Sequence, residues 1–503
     1  MTIDIKKDME ALRDLQQKMN AYDHAIGVLY LDGVTAAPFG TASGRGRTMG
    51  VLSEASHRLF ANDEVGELLE RMSKYKEALD LQTKREVEEL TRSYQRLSQI
   101  PAAEYAAYAT LVSDAEAVWE KAKTEADFPA FRPYLEKIID YQKRFAAYYD
   151  SEKAPYDALL DQYERGTTMA QLDNFFGRLK ERLSPLVAEI AQQPAPEDGF
   201  LHRSCPRQDQ QKLSARLMEI MGLDPRYAAL SESEHPFTTN FNKHDVRITT
   251  HYYEDDVASS MFSVIHEGGH ALYELHIADE LDFTCLGTGV SMGVHESQSR
   301  FYENIIGRSR EFTAYLLPVL KQLFPGSFAD VSAEQFYRAV NKVQPSLIRT
   351  EADELTYPFH IMVRYELEKQ LIEGTLTVAD LPEAWNALYK ELLGVDVPDD
   401  RHGVLQDSHW AGGSIGYFPS YALGNAYGAQ MLHVMEQELP DMWKGVGEGD
   451  LSAVSGWLAE NVHLFGCLRT PAETVEFACR GSFDPEYYLA YLDGKYRDIY
   501  GLR

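Results

Sequence analysis

At 503 residues the chain exceeds the span one hydrophobic core usually supports, about 250–300 residues, so the sequence predicts one large two-lobed body or several domains. Its 44% hydrophobic content belongs to a globular protein, and the lack of any run of about 18 apolar residues argues against a membrane span. The formal charge of −29, from 49 basic and 78 acidic residues, argues against nucleic acid or an anionic membrane as partner, because both demand a basic face.

The first stretch, MTIDIKKDMEALRDLQQKM, is charged and helical in pattern and lacks an apolar signal core, which predicts a cytoplasmic protein. In that reducing setting the scattered cysteines Cys205, Cys285, Cys467 and Cys479 are expected as free thiols. Between residues 65 and 100 the apolar positions Leu69, Met72, Tyr75, Leu79, Val87, Leu90, Tyr94 and Leu97 step by threes and fours. That spacing predicts a core-facing helix pair, which Pro101 ends. Similar stripes predict helices over 130–150, 170–193, 311–323, 360–373 and 430–438. QQPAPEDGF (192–200) reads as a loop and a hinge within a single unit, between an N-terminal helical lobe (1–195) and a second lobe (200–503). In HDVRITTHYY (244–253), Val246, Ile248, Thr250 and Tyr252 alternate with Arg247, Thr249 and His251, the period of a strand. The predicted fold is therefore mainly α with one small β-sheet beside the next segment.

That segment is SVIHEGGHALYEL (263–275). Met261, Ile265, Leu272 and Leu275 recur at helical spacing, and Asp255, Asp256 and Ser259 offer caps. Gly268 and Gly269 each weaken such a helix by about 1 kcal/mol against alanine, so something must approach its backbone closely. Residues four apart share a helix face, so His266 and His270 present two imidazoles to one cation. Glu267 lies about 100° round, within reach of a metal-bound water. Two neutral ligands, one base and an open coordination position are the zinc-peptidase arrangement.

Zinc needs a third protein ligand. His276 has the spacing of a third histidine, but that geometry needs a glycine where Tyr273 stands, and a continuous helix turns His276 off the ligand face. Glu280 follows the first helix too closely to return. VHESQSRFYENIIG (294–307) predicts a second helix carrying Glu296 and Glu303. Spacing does not choose between these two, although Glu296, at the helix start, is better placed beside a loop.

The chain resembles the M32 metallocarboxypeptidases over most of its length. The resemblance rests on DxRxT at Asp245–Thr249, HEGGH at 266–270, HESQ at 295–298, IRTEAD at 348–353 and GVLQDSHW at 403–410. YLDGVTAAP (30–38) keeps the family's Asp32, Thr35 and Pro38 but lacks its usual tryptophan before the aspartate. The resemblance implies a helical, two-lobed, zincin-like cytosolic homodimer with a central groove. It implies Zn²⁺, replaceable by Co²⁺ or Mn²⁺, and removal of C-terminal residues with broad specificity and poor action around proline. It selects Glu296 as the third ligand. Its motifs also make Asp245, Thr249, Gln298 and Gln406 candidates for substrate contact.

On this reading Glu267 is the general base and then the acid. DSHWAGGSIGYFPSYALGN (407–425), whose glycines suggest a loop over a groove, supplies His409 and either Tyr417 or Tyr421 to hold the developing oxyanion. Arg349 and Arg247 are candidates for gripping the free carboxylate through a two-pronged contact. Arg247 also lies on the strand expected to pair with an extended peptide, as edge strands do. An oligopeptidase cutting internally is the competing enzyme, and a helical binding protein with an accidental HExxH the competing non-enzyme.

Overall fold

The structure is a computed structural model and describes residues 5–502. It is mainly helical, with one three-stranded sheet among the described residues. The helix pair read from the 65–100 stripe is Asp63–Lys74 and Leu81–Ser98. Asn62 and Asp80 cap them by accepting from the amides of Val65 and Thr83, which leaves fewer orphan donors in the first turns. Their apolar stripes meet Leu12 and Leu15 of the Ile5–Thr35 helix in a separate core cluster. The other predicted helices are Phe128–Tyr149, Met169–Ile190, Arg310–Leu323 and Tyr357–Glu373. The last predicted stripe extends further than expected, because its helix already begins at Pro419 and runs to Glu438. The main core is continuous from Ala115 to Tyr500. No helix among the described residues is long and apolar enough to cross a membrane. All four cysteines are free.

The sheet has the order β1 (Ala228–Glu232), β3 (Asp245–Thr250), β2 (Thr238–Asn242). β1 runs parallel to β3 and β2 antiparallel to it, with Thr238 opposite Ile248 and a register shift before Asn242. This corrects the sequence reading of Arg247. Its strand, β3, is hydrogen-bonded on both sides and has no free edge to offer a peptide. The edge beside the helix 257–275 is β2. One face of β2 meets that helix through Thr238 and Asn240. The other is covered by the first helix, where His24 stacks on Phe241 at 4.9 Å and Tyr30 meets Phe237 edge-on at 5.9 Å.

Candidate metal centre

The HEGGH motif lies in the helix Val257–Leu275, whose N-cap Asp256 accepts from the Ser259 amide. HESQ lies in Met292–Arg300, capped by Ser291. A π-helical turn, Phe301–Gly307, continues it and changes the register of its later side chains. The two helices pack so closely that a Cβ on Gly269 would stand 2.7 Å from the Gln298 carbonyl oxygen and from Ser299 Cα. Gly424, in the helix Pro419–Glu438, meets HESQ from the opposite side, where a Cβ would lie 2.8 Å from Glu296 Cβ and Cγ. Gly269 thus leaves room for the ligand-bearing helix. Gly268 leaves room for Met221, whose Cε would lie 2.6 Å from an added Cβ.

This packing brings His266, His270 and Glu296 together, with one ligand atom from each inside a 4.8 Å cluster. Glu296 Oε2 lies 3.7 Å from His266 Nε2 and 3.5 Å from His270 Nε2. Among the described residues no other His, Cys, Asp and Glu side chains form such a group. Glu303, the alternative left open by spacing, is directed instead at the far side of His266, where its Oε2 meets Nδ1 at 2.9 Å. His276 turns away and meets His463 Nδ1 at 3.0 Å.

The donor set suits a divalent cation in its protonation as well as its geometry. Burial pushes His270 down to about 3, so its ring is neutral near pH 7. Burial alone would raise Glu296, but the Arg300 guanidinium, with both histidines, holds its carboxyl well below the usual range. Arg300 Nε donates to Glu296 Oε1 at 2.7 Å, leaving Oε2 to face the histidines. Arg300 Nη1 donates to Glu303 Oε2 at 3.0 Å. The second ring is oriented by a longer relay. His270 Nδ1 lies 2.7 Å from His295 Nδ1, and His295 Nε2 lies 2.7 Å from Glu274 Oε1. Glu274 also accepts from Thr288, the Gly289 amide and Asn240.

Glu267 is buried beside the trio. Thr238 on β2 donates to its Oε2 at 2.6 Å. Burial raises the Glu267 carboxyl above its ordinary range, opposed by His266 and Thr238. That suits a proton acceptor that must later act as a donor.

The aromatic and cationic candidates form a second group. Arg349 is 6% exposed, donates to Asp407 Oδ1 from Nε (3.1 Å) and Nη2 (2.8 Å), and reaches the Tyr357 hydroxyl from Nη1 at 3.0 Å. Arg364 Nε donates to the other Asp407 oxygen at 2.7 Å. Two buried arginines thus share one aspartate. Arg349 also lies 4.9 Å from the Tyr421 ring centroid, and His409 Nε2 lies 3.1 Å from the Tyr421 hydroxyl. Tyr417 meets Tyr421 at right angles, 5.1 Å between centroids. His409 Nδ1 is buried with no hydrogen-bond partner among the described residues. Burial brings His409 down to about 4, Asp407 opposing, so it is neutral near pH 7. The stretch 407–418 is the expected loop, and Glu368 anchors it: Glu368 accepts from Trp410 Nε1, the Gly416 amide and Tyr156. Tyr421 lies just inside the following helix rather than in the loop.

Three motif candidates lie inside the protein instead of on an open wall. Thr249 is fully buried and bonded to Ser233 and the Phe237 amide. Gln298 is fully buried, its amide donating to Ser297 and its oxygen facing His463. Gln406 accepts from the Arg349 amide and Arg364, and its amide donates to the Leu347 carbonyl. Their hydrogen bonds run to neighbouring protein groups. Asp245 and Arg247 pair with each other on β3. The sequence reading also missed Thr238, Glu274, His295 and Arg300. Arg300 was accessible to it, since a cation four residues after an acid shares its helix face. His295 stood within a quoted motif. Thr238 lies in a strand that left no pattern.

A helical body carrying two histidines and a buried glutamate on one helix, with an ionised glutamate from a second, defines a metallopeptidase. The sequence profile of the carboxypeptidase Taq (M32) metallopeptidases matches residues 11–496. The chain therefore belongs to the M32 family and is a metallocarboxypeptidase, a peptide hydrolase with a metal cofactor. It is 40% identical over 488 residues to carboxypeptidase 1 of Bacillus subtilis, covering 97% of both chains. Thermostable carboxypeptidase 1 of Thermus thermophilus is 38% identical over 498 residues, 96% of this chain and 98% of that one. The crystal structure of the M32 carboxypeptidase from Deinococcus radiodurans superposes with a TM-score of 0.96 at 36% identity, over 98% of this chain and all of that one.

Proposed function

We propose that the protein is a zinc-dependent exopeptidase that releases C-terminal residues with broad side-chain tolerance and poor action around proline. The carrying observation is the convergence of His266, His270 and Glu296 beside Glu267. His266, His270 and Glu296 would hold Zn²⁺, replaceable by Co²⁺ or Mn²⁺, which would supply Lewis acidity to polarise the scissile carbonyl and activate water. Glu267 takes the proton of the attacking water and passes it to the leaving amine. Thr238 fixes which carboxylate oxygen faces the reaction, because its hydroxyl engages Oε2. The hydroxyl of Tyr417 or Tyr421, or the neutral His409 ring, donates to the oxygen on which negative charge develops. Arg349 reads the free carboxylate. Paired with Arg364 against the single charge of Asp407, it leaves one positive charge uncompensated in a buried setting. We assign Arg247 a lesser part, since Asp245 already holds it. The protein is proposed to act as a cytoplasmic homodimer.

The test pairs a peptide with its C-terminally amidated twin. An exopeptidase loses most activity on the amide, whereas internal cleavage would continue and would overturn the assignment. Chelation abolishes activity on either reading, and Zn²⁺ or Co²⁺ restores it.

A further inference from the structure

Away from the metal centre, the helix Leu81–Ser98 carries Arg92 and Arg96 one turn apart, on the same face. Like charges at this spacing repel, and burial adds to the penalty. Both side chains are about three-quarters covered, with 23% and 25% exposure. Lys153 joins them across a cavity of about 180 Å³ that is also lined by Tyr149, Gln95 and Gln99. Two carboxylates answer the three cations, and one of them reaches all three. Asp161 Oδ2 lies 2.6 Å from Arg92 and 3.3 Å from Arg96, and its Oδ1 lies 3.3 Å from Lys153. Asp150 stands farther off, 3.9 Å from Lys153. Asp161 Oδ1 is further engaged by the Gly166 amide at 2.9 Å.

The charge count within the cavity is therefore positive in a chain whose net charge is strongly negative. Burial and the neighbouring Arg92 together lower Arg96 to about 10, with Asp161 opposing. Hydrogen bonding tells the same story. An arginine offers five N–H donors. Among the described residues, Asp161 is the sole acceptor recorded for either guanidinium, and each reaches it through Nη2 alone.

We propose that this cavity binds a tetrahedral oxyanion such as inorganic phosphate, held by the guanidinium forks of Arg92 and Arg96 and the ammonium of Lys153. Two planar forks and a point charge complement an anion with oxygens on several sides better than a planar monoanion. Asp161 begins the segment 161–166, which also touches the elements of the candidate metal centre. Tyr163 accepts from the Met292 amide through its carbonyl, and its ring meets Tyr417 edge-on at 5.2 Å. Glu164 accepts from the Gly293 amide at 2.9 Å, holding the first turn of the helix that carries Glu296. Anion binding at this cavity is independent of the ion at the metal centre and of the peptide specificity.

Isothermal titration of the metal-loaded enzyme with inorganic phosphate, at an ionic strength fixed with chloride, tests it. The expected result is one phosphate per chain in the wild type. Affinity should fall about tenfold or more in Arg96→Gln, since a charge-assisted contact is lost. Lys153→Gln, at a more exposed position, should weaken binding in the same direction. Sulfate should compete and acetate should not. No binding to the wild type would overturn the proposal. So would equal binding to both variants, which would place the anion at the metal or elsewhere. Equal competition by acetate would overturn the tetrahedral assignment.

Discussion

Replacing His295 by alanine removes the middle of the relay that orients one metal-facing histidine. His270 turns Nε2 toward Glu296, so its proton sits on Nδ1 and is donated to His295. His295 then accepts on Nδ1 and donates from Nε2 to Glu274, a proton arrangement assigned from the hydrogen-bond geometry. In His295→Ala the His270 N–H faces a void and the ring loses both its orientation and its added basicity. Outer partners of this kind are worth about 10–100-fold in metal affinity, or about 1.4–2.7 kcal/mol. The variant also leaves a cavity against Gly289 and Tyr273, both of which crowd the His295 ring. A companion substitution, His295→Asn, keeps a side-chain acceptor and separates the two effects. Competition with a chelator of known affinity measures zinc binding, and thermal melting of the metal-free forms measures the packing loss. The expected outcome is weak zinc binding in His295→Ala with partial recovery in His295→Asn. Wild-type affinity in His295→Ala would refute the relay.

Glu296→Gln should strip the metal while His276→Ala leaves metal and activity near normal; zinc per purified chain decides, and the reverse pattern would move the third ligand to His276. Glu267→Gln should retain zinc and lower kcat by several orders of magnitude, because both proton transfers pass through this carboxylate; metal analysis and steady-state kinetics on the same sample check it. Gly269→Leu should damage activity and metal content well beyond its effect on melting temperature, since the added side chain displaces the helix that carries Glu296. Glu368 is buried, and burial raises it to about 7 against the pull of its hydrogen-bond donors. A carboxyl with a folded pKa above its unfolded one contributes stability below about pH 4.5 that is lost as pH rises toward 7. Denaturant melts between pH 5 and 8 should therefore show a steeper fall in stability for the wild type than for Glu368→Gln.

How much of this protein was legible in its sequence depends on how local each constraint is. Helical repeat alone places His266 and His270 on one face, and a polar–apolar alternation reveals β3. AALSE and TTNFN, the other two strands, are too short and too mixed to show a period, so the edge position of β2 and the contact of Thr238 with Glu267 stayed hidden. The choice between Glu296 and Glu303 turns on a π-helical turn and on Arg300, which together direct one carboxylate to the metal side of His266 and the other to its back. Arg349 was readable as a cation near the site, but its burial against Asp407, 58 positions later in the chain, was not.

The grip of Gly269 and Gly424 on the HESQ helix has a consequence for how the enzyme is assembled in time. With its helix seated on Gly269 and its Cβ and Cγ packed on Gly424, Glu296 has little rotamer search left to make when the ion arrives, and little freedom to close further around a smaller one. Such a chain can complete its folding before it meets any metal, and can surrender one ion and accept another without unravelling.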